Sequence, residues 1–261
     1  METLLLRERK ENIEVLTLND PKKLNALSEE LLSCLEQALE EISQDREIKV
    51  VILKSSGKAF CAGHDLKQMQ LARQAKDNGR HYFSKLFKRC SKIMMSIKKM
   101  PQPVIASVNG IATAAGCQLV ASCDLAVATH EAEFGVNGVN IGLFCSTPMV
   151  ALSRNIGRKK TFEMLITGDF INAQTAKEEG LVNKVVNHDD LEKESLALAK
   201  IIQSKLTLAV KIGKEAFYKQ SEMSIEDAYS YTAEVMAENM LYQETKEGID
   251  AFIEKRRPDW D

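Results

Sequence analysis

Val-Val-Ile-Leu-Lys-Ser-Ser-Gly-Lys-Ala-Phe-Cys-Ala-Gly-His-Asp-Leu, residues 50–66, begins as a strand and ends as the first turn of a helix. Val50–Leu53 is an unbroken apolar run, the pattern of a strand buried on both faces. Ala62-Gly63-His64-Asp65-Leu66 then reads as a turn with free backbone N–H groups, at a helix start whose dipole favours negative charge. A second stretch repeats the arrangement. Pro103-Val104-Ile105-Ala106-Ser107-Val108-Asn109-Gly110 leads through Ala114-Ala115-Gly116-Cys117-Gln118-Leu119 to Ser122-Cys123-Asp124. Two such turns facing each other would offer two N–H donors to one carbonyl oxygen, as a thioester enolate requires. The plainer alternative is tight packing without a ligand, because Gly-rich strand-to-helix turns are common.

Working outward, Leu4–Arg9 and Ile13–Leu18 read as a hairpin about Lys10-Glu11-Asn12. Ser28 is a good N-cap with Glu29 and Glu30 in the first turn, and Leu31, Leu35, Leu39 and Ile42 share one helical face. Phe83, Leu86, Phe87, Cys90, Ile93, Met94 and Ile97 form a second helical stripe that stops at Pro101 and Pro103. Val104–Val108 and Leu125–Ala128 read as strands, with a small-residue helix over Ala112–Ala121 between them. After about residue 145 strands become scarce, Val182–Val186 being the clearest, and helical patterns dominate from Asp189. The fold class is α/β.

The 261 residues include 44% hydrophobic and 28% charged side chains, ordinary values for a globular protein. A formal net charge of -2 gives no reason to expect nucleic acid as a partner. No apolar run approaches the roughly 20 residues of a transmembrane helix. The six cysteines form no C-x-x-C pair, so most are expected as free buried thiols in a reducing compartment. No metal or other cofactor is expected, since no H-x-x-x-H spacing occurs. Met1-Glu2-Thr3-Leu4 carries no presequence signal.

The two turns, together with Asn19-Asp20-Pro21-Lys22-Lys23-Leu24-Asn25-Ala26-Leu27, Glu133-Phe134-Gly135, Thr167–Ala173, Ala176–Val182 and Ala251–Arg256, resemble the crotonase (enoyl-CoA hydratase/isomerase) superfamily across nearly the whole chain. The resemblance implies a spiral of ββα units over residues 1–200 and a helical oligomerisation region over 201–261, assembled as trimers or hexamers. It implies a CoA thioester as substrate or ligand, with its carbonyl held by the backbone N–H groups of His64 and Ala115. Binding positions so implied are Ala62, Gly63, His64, Asp65, Leu66, Ala114, Ala115 and Gly116, with Lys22, Lys23 or Lys58 toward the CoA phosphates, or Lys255 or Arg256 from a neighbouring subunit. It also implies a role in fatty-acid metabolism in the mitochondrial matrix.

The chain departs from the pattern where hydration needs its acid–base pair. Relatives that hydrate enoyl thioesters use two glutamates; those positions are Gln118 and Gly138 here. An amide has no useful basicity and glycine has no side chain. The expected function is therefore acyl-CoA binding without hydratase activity. One alternative is changed chemistry such as acyl-CoA decarboxylation, in which the His64 side chain would take part; another is a non-catalytic oligomeric scaffold or regulator. Asp65 is expected to cap the helix that follows it. Cys145 lies beside Ser146 and Thr147 without an evident base, and is expected to serve packing or line a pocket rather than act as nucleophile.

Overall fold

The computed structural model describes residues 3–260, so the reading at Met1 and Glu2 lies outside the described residues. The chain divides into two compact units, one running to Lys200 and one from Ile201.

In the first unit, β1 (Leu5–Lys10) and β2 (Ile13–Leu18) form the expected antiparallel hairpin, turning at Glu11 with φ of 56°. Helix α1 (Glu29–Gln44) starts where Ser28 accepts the Leu31 N–H at 3.2 Å. Its face of Leu31, Leu32, Leu35, Leu39 and Ile42 is fully buried, each side chain contributing about 1.5–3 kcal/mol relative to exposure. Then follow β3 (Val50–Ser55), β4 (Ala59–Cys61), α2 (Leu66–Ala72), α3 (Arg80–Lys99), β5 (Val104–Val108), β6 (Ile111–Thr113), α4 (Ala115–Ser122), β7 (Leu125–Thr129) and β8 (Glu133–Gly135). The unit continues through α5 (Ser146–Leu152), α6 (Arg158–Thr167), β9 (Phe170–Asn172), α7 (Ala173–Glu178), β10 (Lys184–Val186) and α8 (Leu191–Gln203), the last crossing into the second unit.

The strands make two sheets. The larger has the order β1-β2-β3-β5-β7-β10 and is parallel beyond the first hairpin. The smaller has the order β4-β6-β8-β9, with β4, β6 and β8 parallel and β9 antiparallel. This second sheet is absent from the sequence reading because its strands are three residues long, too short to show a period. For the same reason the expected helix over Ala112–Ala121 is corrected. Ala112 and Thr113 belong to β6, and Ala114, with φ of 50°, separates that strand from α4. The expected strand Val182–Val186 shortens to Lys184–Val186.

The second unit contains α9 (Thr207–Gln220), α10 (Ile225–Met240) and α11 (Gln243–Ile253). Ser224 caps α10 by accepting the Asp227 N–H at 3.2 Å. Phe217, Ile225, Tyr229, Met236, Leu241, Phe252 and Ile253 are all exposed on these helices. No helix among the described residues is long and apolar enough to cross a membrane.

Candidate functional site

Parallel pairing of β4 with β6 and of β6 with β8 brings three strand ends side by side. In open parallel sheets ligands bind where strands end and helices begin. The turn after β4 contains Gly63, with φ of 86°; the turn after β6 contains Ala114. The two turns touch: a Cβ on Gly63 would lie 3.0 Å from the Ala114 Cβ and 3.4 Å from the Ala115 N. A Cβ on Gly116 would lie 2.2 Å from the Cys61 carbonyl oxygen. Only glycine permits this approach at either turn.

The hydrogen bonds that fix the turns use flanking groups. Ala62 N–H donates to the Leu24 carbonyl, Leu27 N–H to the Gly63 carbonyl and Ala114 N–H to the Gly135 carbonyl. The His64 and Ala115 N–H groups find no acceptor among the described residues. Ala115 opens α4, whose first amides lack intrahelical partners and carry the positive end of the dipole. Ala114 has φ of 50° and ψ of -118°, the first central conformation of a type II′ turn, which an L side chain adopts only under strain.

Against these turns lies a cavity of about 220 Å³ lined by His64, Phe87, Ala114, Ala115, Leu143, Phe144, Cys145, Ser146, Thr147 and Pro148. The structure thus brings His64, Ala114 and Ala115 together at one wall, with Gly63 and Gly116 packed between the turns behind it. Ala62 is fixed in the same turn by the Leu24 carbonyl. Leu66 is 53% exposed and does not line the cavity. Lys22 and Lys58 are exposed and do not line the cavity. Asp65 caps α2, accepting the Lys67 N–H at 2.9 Å and the Gln68 N–H at 3.2 Å, and its carboxylate pairs with Lys23 at 3.6 Å. Asn25, buried in the stretch before α1, is a structural tie: its side chain donates to the carbonyls of Ser56 and Ala59 at 2.8 Å each. In the second unit Arg256 is held by Glu247, at 2.5 and 2.9 Å.

No carboxylate among the described residues lines the cavity. Gln118 is buried in α4, its Oε1 lacking a partner, and is not part of the wall. Gly138 lies behind the wall: a Cβ there would be 2.1 Å from the Leu143 carbonyl oxygen and 2.9 Å from the Cys145 Sγ. The space that a glutamate would need is filled by the 143–145 loop. Glu131 and Glu133 are exposed.

The titratable groups on the wall are His64 and Cys145. Burial pushes the His64 imidazole down to about 4, opposed by the Leu27 backbone, and no charged side chain contributes. Burial also pushes the Cys145 thiol up, opposed by the Gly138 backbone. A thiol that resists ionisation beside an imidazole that resists protonation is a poor nucleophile–base pair. Phe87, Leu143, Phe144 and Pro148 are cavity residues that the sequence reading did not single out. Phe87 carries the same helical periodicity as its buried neighbours, and the other three flank Cys145-Ser146-Thr147.

Comparison with known proteins agrees with this architecture. The enoyl-CoA hydratase/isomerase family pattern matches residues 8–261. The mouse enoyl-CoA hydratase domain-containing protein 3, mitochondrial, is 44% identical over 97% of this chain and 82% of its own length. The crotonyl-CoA hydratase of Syntrophomonas wolfei is 35% identical over 97% of this chain and 96% of its own. The crystal structure of an enoyl-CoA hydratase from Mycobacterium smegmatis superposes with a TM-score of 0.95 at 53% identity, covering 99% of both chains. That of human enoyl-CoA hydratase domain-containing protein 3 gives 0.94 at 43%, covering 99% of this chain and 100% of the other. With the paired turns, the parallel strand ends and a match over nearly its whole length, the chain belongs to the enoyl-CoA hydratase/isomerase, or crotonase, family.

Proposed function

We propose that the chain binds the acyl group of a CoA thioester in the His64–Ala115 cavity, in fatty-acid metabolism, and that it does not hydrate enoyl thioesters. The observation that carries this reading is the composition of the wall: two unengaged backbone N–H groups, an otherwise largely apolar lining, and no carboxylate. Two N–H donors at a helix start suit a polarised thioester oxygen. Adding water across a double bond also needs a group to activate water and one to deliver a proton. Neither Gln118 nor Gly138 supplies either. The CoA phosphates are assigned to the exposed Lys22 and Lys58.

Several relatives bear the name hydratase, which sets the rival reading. Titration calorimetry with butyryl-CoA and crotonyl-CoA, followed by mass spectrometry of the crotonyl-CoA mixture, decides between them. Saturable binding without a water adduct supports the proposal; turnover to hydroxybutyryl-CoA refutes it. Decarboxylation of a carboxylated thioester draws support from His64, but no lining side chain carries a fixed positive charge to receive the carboxylate.

The exposed apolar side chains of α9, α10 and α11 support assembly as a homotrimer or a dimer of trimers, since large exposed apolar surfaces mark association sites. Light scattering of the eluted protein tests this, and a monomer would overturn it. The mitochondrial placement rests on the names of the vertebrate relatives, while the bacterial chain at 53% identity shows that the fold also serves cells without mitochondria.

A further inference from the structure

Residues 66–99, from the start of α2 to the end of α3, carry ten lysines and arginines against one acidic residue, Asp77. That is a surplus of +9 in a chain whose formal net charge is -2, so the remaining residues together carry -11. Asp77 is turned to the start of α3, where its carboxylate accepts the Gly79 and His81 N–H groups at 3.0 and 2.9 Å. Toward α1 the basic charge is partly answered. Arg89 pairs with Glu29 and Glu36 at 3.5 and 3.0 Å, and Lys92 with Glu36 at 2.9 Å. Arg73, Lys76, Arg80, Lys85 and Lys88 are exposed and enter no ion pair among the described residues.

Gathering like charge on one face costs self-repulsion, and the packing of α3 does not call for it. Leu86, Cys90, Ile93, Met94 and Ile97 supply the buried face of that helix, while Lys85, Lys88, Met95 and Lys99 fall on its exposed face. Leu66 and Leu71 of α2 and Met95 of α3 are exposed large apolar side chains within the same basic stretch. Cations interleaved with exposed apolar side chains suit a lipid surface. The cations are drawn to anionic headgroups, and the apolar side chains enter the boundary beneath them. A nucleic-acid strand would instead use aromatic faces on which bases stack. The aromatic rings in this stretch do not offer that: Tyr82, Phe83 and Phe87 are half-buried, and the Arg73 guanidinium lies over the Phe83 ring, 5.5 Å from its centroid.

We propose that the basic face formed by Arg73, Lys76, Arg80, Lys85 and Lys88 docks this protein on a bilayer surface bearing anionic phosphate headgroups. The surface is independent of what the cavity holds, although Phe87, beside Lys88 in α3, lines that cavity, so one helix serves both. Cosedimentation of the full chain with vesicles tests the proposal. The vesicles are phosphatidylcholine alone, or phosphatidylcholine with roughly a third of phosphatidylglycerol, each at low and at high salt. The wild type should bind only the phosphatidylglycerol vesicles, and added salt should weaken that binding by screening. Arg80→Glu/Lys85→Glu/Lys88→Glu should weaken it about a hundredfold, at about fivefold for each cation. Lys193→Glu/Lys200→Glu/Lys205→Glu makes the same change in net charge at exposed lysines elsewhere and should bind as the wild type does. Leu71→Ser should weaken binding several-fold at either salt concentration, since the apolar contribution is not screened. The lipid and salt dependence of the wild type stands even where a variant fails to fold. No binding of the wild type to phosphatidylglycerol vesicles at low salt overturns the proposal. So does an equal loss in the two folded triple variants, which would make the effect one of net charge alone. Displacement of the vesicles by an equimolar single-stranded oligoribonucleotide also overturns it, and would assign the face to nucleic acid.

Discussion

A Cβ atom on Gly116 would stand 2.2 Å from the carbonyl oxygen of Cys61, so the helix after β6 can seat against the end of β4 only with glycine at that position. This approach brings the His64 and Ala115 amides to one cavity wall. Both sides of the contact are backbone, and neither can rotate away.

Gly116→Ala should therefore destabilise the fold by about 1–3 kcal/mol and weaken butyryl-CoA binding, because the turns must part. Gly213→Ala is the opposite case. Gly213 sits inside α9, and a Cβ there would meet no atom within 4 Å, so alanine should stabilise by about 0.5–1 kcal/mol. Denaturant titration of both variants tests the pair. A Gly116→Ala protein as stable as the wild type would show that the contact does not constrain the fold.

Restoring the missing carboxylates should not restore hydration. In Gly138→Glu the new Cβ meets the Leu143 carbonyl oxygen at 2.1 Å, so the 143–145 loop must move and stability should drop by about 1–3 kcal/mol. The Gln118→Glu/Gly138→Glu double variant is expected to show no crotonyl-CoA hydration above the wild-type background. Measurable turnover by a folded double variant would show that the loop yields.

His64 should make stability depend on pH in acid. Its ordinary value is 6.5 and its folded value about 4. Between these the unfolded chain holds the proton and the native chain does not, so stability falls as pH drops from about 6.5 to about 4. The loss is at most about 3 kcal/mol. Urea midpoints of wild type and His64→Leu across that range should diverge as pH falls, since the common carboxylate titrations cancel. Parallel curves would mean that the ring is not held neutral by burial.

Cys61, Cys90 and Cys117 are buried, and burial pushes each thiol up to about 12; Cys145 is raised as well. Cys34 alone among the six is partly exposed. Iodoacetamide at pH 8 should label the native protein at Cys34 first, and the remaining five only after unfolding. Peptide mass spectrometry reads this directly, and rapid native labelling of Cys145 would reopen the nucleophile reading.

The sequence by itself determined the elements whose signal is local. Alternation along Ile13–Leu18, the apolar run Val50–Leu53, and the helical stripes of α1 and α3 each lie within one segment, as do the two turns at Gly63 and at Ala114–Gly116. It also showed that Gln118 and Gly138 carry no carboxylate. The tertiary structure alone decided what these pieces face. The strands of the smaller sheet are three residues long and exist through pairing with one another, not through period. Phe87 has the spacing of a core residue, and becomes a cavity wall only because α3 packs beside α4. Gly138 in sequence is merely a missing side chain; in space it lies beneath Leu143 and Cys145. Asp65 caps α2 as its position before a helix suggests, but its pairing with Lys23 joins two segments that sequence spacing does not relate. Local patterning follows from backbone geometry and side-chain periodicity. The site depends on which distant segments close packing presses together, and only the folded chain states that.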